Sequence, residues 1–361
     1  MTRKRIIAAA LLASAATAAM HVRLAPPVPA ALTGSAADGP IPLPEPGRGV
    51  SPFATVAVGR QVAVGDVDLP ASEASGLAAS RRFPGVFYWL RDGGGATAQR
   101  PRAALWAIKV DADGNSHPVR RGENFPFAGV FDAANGDWED IVLDDDDNLW
   151  IGDIGANDCK TQQHLFKTLE PDPDTDDPFV VVAKYPLAFP DPAPGCRTRN
   201  AEAMLWLDGE LYIFAKALHS PLYRVELPAG RGDDAQLEPL GQFAAAANRI
   251  SVSTLSDDRT RLTLAGHALY WVFTTDPALQ GDDLLRDAMT RQPVYVGRFP
   301  QPNGRSAAVE GGSYLPGSHD VLFVAEDKRI FLLPDSGGPG SPGGPVGPGG
   351  PGAASGPGDR R

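Results

Sequence analysis

Three glutamates, Glu139, Glu202 and Glu310, and two serines, Ser75 and Ser251, open similar short segments at steps of 64, 63, 49 and 59 residues. A turn and a second apolar run follow each. Near the end of that run stand Asp92, Asp153, Lys216 and Glu326, with a small-residue stretch near His267 in the fourth copy. If each pair of runs is a strand going out and a strand coming back, both sets of residues meet at one mouth. Glu73 lies two residues before Ser75, on the same side of an extended chain. Asp137, Asp140, Asn157, Asp158 and Asn200 are close in sequence to the same place.

Carboxylates brought together repel, and three outcomes are open. They take up protons, they accept hydrogen bonds from backbone groups that tie neighbouring copies together, or they bind a hard cation. Oxygen donors with almost no imidazole suit Ca2+ or Mg2+ rather than Zn2+. The metal reading takes Glu139, Asp153, Glu202 and Glu310 as ligands. A bound molecule would meet Glu73, Asp92, Asp140, Asn157, Asn200, Lys216 and Glu326. Acid–base catalysis would need one carboxyl with a raised pKa beside an ionised one, with Glu139, Glu202 and Glu310 as the candidates.

Other chemistries lack their residues. The chain has no Gly-x-Ser-x-Gly elbow, no His-Glu-x-x-His, no Cys-x-x-Cys and no phosphate loop, so no nucleotide or organic cofactor is expected. The histidines at 21, 117, 164, 219, 267 and 319 are not spaced as metal ligands. Asp144 to Asp147 reads as a solvated hairpin tip.

The elements that must position the acids come from a fivefold recurrence. The central runs are Phe87-Tyr88-Trp89-Leu90, Leu149-Trp150-Ile151-Gly152, Leu211-Tyr212-Ile213-Phe214, Leu262-Thr263-Leu264 and Leu322-Phe323-Val324. Each lies between a segment with small or acidic residues and another β-type run, and several copies offer a fourth. Four short antiparallel strands per copy make a propeller blade. The expected fold is therefore all-β, a propeller of five blades, or six if a long loop hides another. The strand at Thr55 to Gly59 would close it by joining the last blade, which lacks a fourth strand. The recurring aromatics Trp89, Trp150, Tyr212, Trp271 and Phe323 are read as packing residues.

Composition sets the boundaries. Gly and Pro supply 75 of 361 residues, against a usual share of about 12%, and they concentrate at the two ends. Residues 1–21 read as a secretory signal: Arg3, Lys4 and Arg5, then an Ala/Leu-rich run and a small-residue cleavage site. Residues 22–52 are a Pro-rich linker, 53–335 the propeller and 336–361 a Gly/Pro-rich disordered tail. The net charge is −11, and the ends carry +3 and +1, which leaves −15 on 53–335. That balance excludes a nucleic-acid partner. The mature chain is expected to be a secreted or periplasmic monomer with no transmembrane segment. In an oxidising compartment Cys159 and Cys196 either pair or both stay reduced.

Several motifs carry a likeness. Glu73-Ala74-Ser75-Gly76-Leu77, Asp137-Trp138-Glu139-Asp140-Ile141, Gly152-Asp153-Ile154-Gly155-Ala156-Asn157 and Asn200-Ala201-Glu202-Ala203 resemble a group of secreted bacterial propeller proteins. The resemblance covers about residues 70–334, and more loosely the chain is similar to esterase-like or phytase-like propellers and to calcium-dependent lactonases. It implies the fold and export. The chain departs from the group at Arg91-Asp92-Gly93-Gly94, and at Ala156 where an acid is common, which weakens a cation site built on those positions. Together these readings describe an exported propeller that binds a small polar molecule, or an extracellular partner, and a divalent cation at an acidic channel mouth. The alternative is a metal-assisted hydrolase of a phosphate ester, lactone or ester.

Overall fold

Val86-Phe87-Tyr88-Trp89-Leu90 has no polar residue at alternate positions, the pattern of a strand buried on both faces. All five residues are 3% exposed or less. The computed structural model describes residues 57–58, 60–61, 73–92, 105–110, 116–118, 127–129, 136–156, 162–175, 179–192, 196, 198–217, 219–230, 233–243, 249–299 and 308–333.

The described residues form four β-sheets and one helix. First come β1 (Ala57–Val58) and β2 (Arg60–Gln61), then β3 (Ala74–Ala79), β4 (Val86–Arg91), β5 (Trp106–Val110), β6 (Ser116–Pro118) and β7 (Phe127–Gly129). Next are β8 (Trp138–Leu143), β9 (Asn148–Asp153), β10 (His164–Leu169), β11 (Phe179–Ala188), β12 (Ala201–Leu207), β13 (Glu210–Ala215), β14 (Leu222–Glu226) and β15 (Ala235–Gly241). The rest are β16 (Val252–Leu255), β17 (Arg261–Ala265), β18 (Leu269–Thr274), α1 (Gly281–Thr290), β19 (Tyr295–Arg298), β20 (Val309–Tyr314), β21 (Val321–Ala325) and β22 (Ile330–Leu333).

Consecutive strands pair antiparallel within β3–β6, β8–β11, β12–β15, β16–β19 and β20–β22. These five runs are called units one to five below. Short turns make this possible: Asp208 (φ 53°) and Gly209 (φ 85°) form the two-residue loop between β12 and β13, as a tight hairpin requires. Asp144 is buried, contrary to the solvated tip expected from its four-acid run. It accepts from Trp150 Nε1 at 3.0 Å and pairs with Lys167 Nζ at 2.7 Å, which holds the β8–β9 turn shut. Outer strands extend the sheets. The strand expected from Thr55 to Gly59 to join the last unit instead pairs, at β1, parallel with β19 of unit four. It is β2, just beyond it, that pairs antiparallel with β22 of unit five. β11 runs parallel to β7 at its start and to β15 at its end, which joins units two and three into one sheet.

The first strands of the units, β3, β8, β12, β16 and β20, are the inner strands. Each packs on the next, and β20 packs on β3. Close approach there demands small residues. A Cβ on Gly311 would sit 2.7 Å from the Gly76 carbonyl. Side chains tie one inner strand to the backbone of its neighbour: Ser75 Oγ donates to Glu139 O (2.5 Å), Ser251 Oγ to Val309 O (2.8 Å) and Ser253 Oγ to Met204 O (2.8 Å). Ala79 N–H donates to Ser313 Oγ at 3.3 Å.

Apolar side chains fill the space between successive units. Tyr88 and Leu90 meet Ile141 and Phe166; Trp150 and Leu165 meet Met204 and Ile213; Tyr212 and Phe214 meet Leu262 and Phe273. Tyr270 meets Phe323, and Phe87 and Trp89 meet Leu322 and Val324, so unit five packs back on unit one. Trp89, Trp150, Tyr212, Trp271 and Phe323 are all buried in these cores. The helix α1 departs from the strand-only expectation. Its Leu284, Leu285, Ala288 and Met289 face the core between units three and four. Among the described residues no helix is long and apolar enough to cross a membrane.

Candidate functional site

A register shift recurs at the start of the inner strands. Trp138 opposes Asp153 and Asp140 opposes Gly152, which leaves Glu139 as an extra residue. Glu202 is the extra residue between Ala201 and Ala203, and Glu310 between Val309 and Gly311. Such a bulge turns one side chain out of the ladder's alternation. The three glutamates therefore leave the face that packs against neighbouring sheets and point at one place. In unit one the extra residue is Gly76, so the counterpart of Glu139 there is Gly76 rather than the expected Ser75. Unit four has no shift at this level.

A second set of residues is fixed by backbone bonds that close the inner hairpins of units one, two, three and five. Asp92 N–H donates to Glu73 O (3.0 Å), Gly155 to Asp137 O (3.1 Å), Lys216 to Asn200 O (2.8 Å) and Glu326 to Ala308 O (3.0 Å). Gly155 is small of necessity: a Cβ there would overlap Glu139 Oε1 and the Asp137 carboxyl. His267, just past β17, completes the set with Nε2 at 2.9 Å from Glu310 Oε1.

These side chains form two groups of ligating atoms that share Glu310. In Asp92–Glu139–Glu310 and in Glu202–His267–Glu310, one atom from each residue lies within 4.8 Å of the others. Glu139, Glu202 and Glu310 are each 3% exposed or less. Oε2 of Glu202 is buried and receives no donor, and the Glu310 carboxyl shares a hydrogen bond with the Glu326 carboxyl. Lys216 is the cation among them, bonded through Nζ to Glu202 Oε1 and 3.6 Å from Glu310 Oε1.

The electrostatics follow from burial and crowding. Burial, and then the charges of Glu202, Asp92, Asp137 and Glu310, holds the Glu139 carboxyl well above the usual carboxylate range. Burial pushes Glu202 up to about 7 even though Lys216 opposes it. Burial and Glu310 push Glu326 up to about 7 as well. Glu310 is raised by burial, with Lys216 offsetting part of it. Burial works against the Lys216 ammonium, but Glu202 and Glu310 outweigh it and its pKa rises. His267 is lowered by burial and then by Lys216, so the imidazole tends to neutrality. A site of this kind either stores protons or meets a cation.

Not every acid singled out in the sequence reaches this cluster. Asp153 stands opposite Trp138 inside the ladder, as Ala215 stands opposite Ala201 and Ala325 opposite Val309. Lys216 and Glu326 lie one residue further on, and a one-residue offset along a strand reverses the side chain. Asp153 Oδ1 accordingly accepts from Gly136 N–H (3.1 Å) and Asp137 N–H (2.6 Å), and it is absent from both ligating groups. Asp140 is also spent. Its Oδ1 accepts from Ile141 N–H at 2.8 Å and its Oδ2 from Met204 N–H at 2.6 Å, which joins units two and three. Glu73, at φ 64°, turns its carboxylate to Arg91 Nη2 at 2.9 Å. Asn200 supports the cluster: Nδ2 donates to Glu202 Oε1 (3.3 Å) and Oδ1 accepts from Ala156 N–H (2.8 Å). Asn157 and Cys159 lie outside the described residues, and Cys196 is not a free thiol.

His267 is the member that sequence reasoning missed as a ligand, because no recurring neighbour marks it. Asp137 was visible only as a neighbour of Glu139. A cavity of about 150 Å3 lies along the later residues of the inner strands, between Leu77, Asp140, Trp206, Thr254 and Tyr314, and Glu139, Glu202 and Glu310 do not line it.

No family model matches this chain, and no curated protein does. Among solved structures, a candidate glycoside hydrolase from Parabacteroides distasonis is similar at 11% identity and TM-score 0.44, over 78% of this chain and 97% of that one. A candidate gluconolactonase is similar at 13% identity and TM-score 0.41, over 76% of this chain and 91% of that one. Both likenesses are too loose to transfer a fold or a reaction.

Proposed function

We propose that residues 53–335 form a five-bladed β-propeller closed by its N-terminal strands. We further propose that its acidic mouth holds a divalent cation between Asp92, Glu139 and Glu310 and there receives a small polar molecule. Five inner strands packed in succession, with β20 on β3 and β2 on β22, support the fold. The observation that carries the site is the convergence of ligating atoms of Asp92, Glu139 and Glu310 within 4.8 Å, beside a buried Glu202 Oε2 that has no donor. A buried acid without a donor is costly unless protonated or paired, and a hard cation is the partner that oxygen ligands suit. The bulges also favour this reading, since they aim three glutamates away from the cores that their strands build.

The relationship to the secreted bacterial propeller group, and with it export through residues 1–21, is supported by the same motifs. Glu139, Gly155 and Glu202, which lie in them, are neighbours at the mouth. A Cys159–Cys196 bridge would brace the rim, because Cys196 carries no free thiol and stands four residues before Asn200.

Calorimetric titration of the EDTA-treated protein with Ca2+ and Mg2+ tests the site. Binding is expected with the wild type, and at least a tenfold weaker affinity with Glu139→Gln. Glu202→Gln is expected to bind with a smaller change. No heat and no rise in melting temperature with either ion would defeat the cation.

The hydrolase reading draws on Glu202 and Glu326, whose carboxyls sit near neutrality beside a more deeply buried acid. A bound divalent ion supplies Lewis-acid polarisation of an ester, lactone or phosphate oxygen. Glu202 would hold or take up the proton of an attacking water. Turnover of generic phosphate-ester and lactone substrates, lost with EDTA and with Glu202→Gln, is the expected result. No turnover with the ion bound would leave the protein a binding module.

A further inference from the structure

The two groups of ligating atoms differ in their relation to Lys216 as well as in the imidazole of His267. Lys216 Nζ is bonded to Glu202 Oε1 and lies 3.6 Å from Glu310 Oε1, so it touches two of the three members of Glu202–His267–Glu310. No ion pair of this kind joins Lys216 to Asp92 or Glu139 among the described residues. Glu310 Oε1 lies 3.6 Å from Lys216 Nζ and 2.9 Å from His267 Nε2, and its carboxyl shares a hydrogen bond with the Glu326 carboxyl.

Lys216 is also the exception in the repeat. The residues whose N–H closes the inner hairpins are Asp92, Gly155, Lys216 and Glu326. Units one and five place an acid there and unit two places no side chain, but unit three places an ammonium. Its backbone N–H donates to the Asn200 carbonyl at 2.8 Å, and its side chain is 16% exposed. Asn200 Nδ2 adds a donor to the same Glu202 Oε1. The ammonium is thus fixed over its carboxylates rather than free to swing into solvent.

We propose that Lys216 is a resident cation: its ammonium takes the position of a second metal ion at Glu202, His267 and Glu310, and so limits the mouth to one divalent cation. The proposal rests on the cation reading of the mouth given above. A point charge of +1 at carboxylate contact distance supplies part of what a metal ion would, and it excludes one by repulsion and by volume. Without it, two carboxylates and an imidazole remain, a mixed set that suits Mn2+ better than Ca2+.

Mn2+ is therefore the probe, titrated calorimetrically into the EDTA-treated full chain. The wild type is expected to bind one ion, Lys216→Met two, Lys216→Arg one, and Lys216→Met/His267→Ala one. A folded Lys216→Met that still binds one ion would overturn the proposal, and so would a wild type that binds two. A wild type that binds none defeats the cation reading itself, whatever the variants do. If Lys216→Met does not fold, electron paramagnetic resonance of the Mn2+-saturated wild type decides. An isolated-ion spectrum is expected, and a dipole-coupled pair would overturn the proposal.

Discussion

The seam between units two and three and the mouth of the ring both bury carboxylates, one residue apart on the same strand. Asp140 at the seam has both oxygens filled by backbone N–H groups, from Ile141 and Met204. Glu139 lies among Asp92, Asp137, Glu202 and Glu310, which push its pKa in the same direction as burial does. Residue class and burial are nearly the same in the two places. What surrounds them differs, because the bulge removes Glu139 from the alternation that delivers Asp140 to its neighbour's backbone. An acid that reaches backbone N–H groups ties neighbouring units together, and one turned among other carboxylates adds their charge to the effect of burial.

The sharpest way to break this contrast is to substitute at the seam. Asp140→Ala would strand two buried N–H groups, and it is expected to lower stability by about 3 kcal/mol in urea denaturation. Gly76→Ala is expected to act in the same sense, since its Cβ would lie 2.8 Å from Asp140 Cα and Ile141 N at a φ of 63°. Neither should change cation affinity while the protein is folded. Wild-type stability in Asp140→Ala would show that the seam acid is dispensable and dissolve the distinction.

The mouth should respond to pH through carboxyls pushed up to near neutrality. Glu202 and Glu326 titrate at about 7 in the folded protein, against roughly 4.3 for an unfolded glutamate. Between those values the unfolded chain has lost protons that the folded protein still holds. Without divalent ions, stability should therefore fall from pH 5 to pH 7, by of order 2 kcal/mol, and level off above. Glu202→Gln should flatten that slope, and a saturating cation should offset it. Stability that is constant or rising over this range in EDTA would contradict the strain assigned to the mouth.

Gly155→Ala gives the smallest expected change in stability, about 1 kcal/mol, because side-chain carboxyls rather than backbone must move. It should nevertheless weaken cation binding at least tenfold, by displacing Glu139 and Asp137. An unchanged affinity would show that these two carboxyls do not need to approach each other.

The all-β character and the strand pairs were legible because their signals are local. Strands buried on both faces, such as Val86–Leu90, show an unbroken apolar run, and turns such as Asp208-Gly209 announce themselves. Glu139, Glu202 and Glu310 stood out for the same reason, as acids at equivalent places in three of the copies. Direction was harder to read, because a bulge adds one residue without leaving a mark in composition. Asp153 was grouped with Lys216 and Glu326 when its true counterparts are Ala215 and Ala325, and Ser75 was matched to Glu139 where Gly76 is the match. His267 belongs to a unit whose inner strand carries serine where others carry glutamate, so recurrence could not point to it. The helix α1 did leave a signal. Leu284, Leu285, Ala288 and Met289 recur at helical spacing, between the strands that the repeat made conspicuous.

Glu310 is the residue both ligating groups share, and it lies on β20, the fifth of the inner strands in chain order. Ribosomal synthesis delivers β3, β8, β12 and β16 before it. A nascent chain that already contains Asp92, Glu139, Glu202, Lys216 and His267 therefore still lacks the carboxylate that makes two triads of them. The contact that seats β20 against β3 spans 234 residues, from Ala79 to Ser313. Assembly of the mouth is in this sense a report on completion, since only a chain long enough to bring its fifth unit back to its first can offer an ion either group.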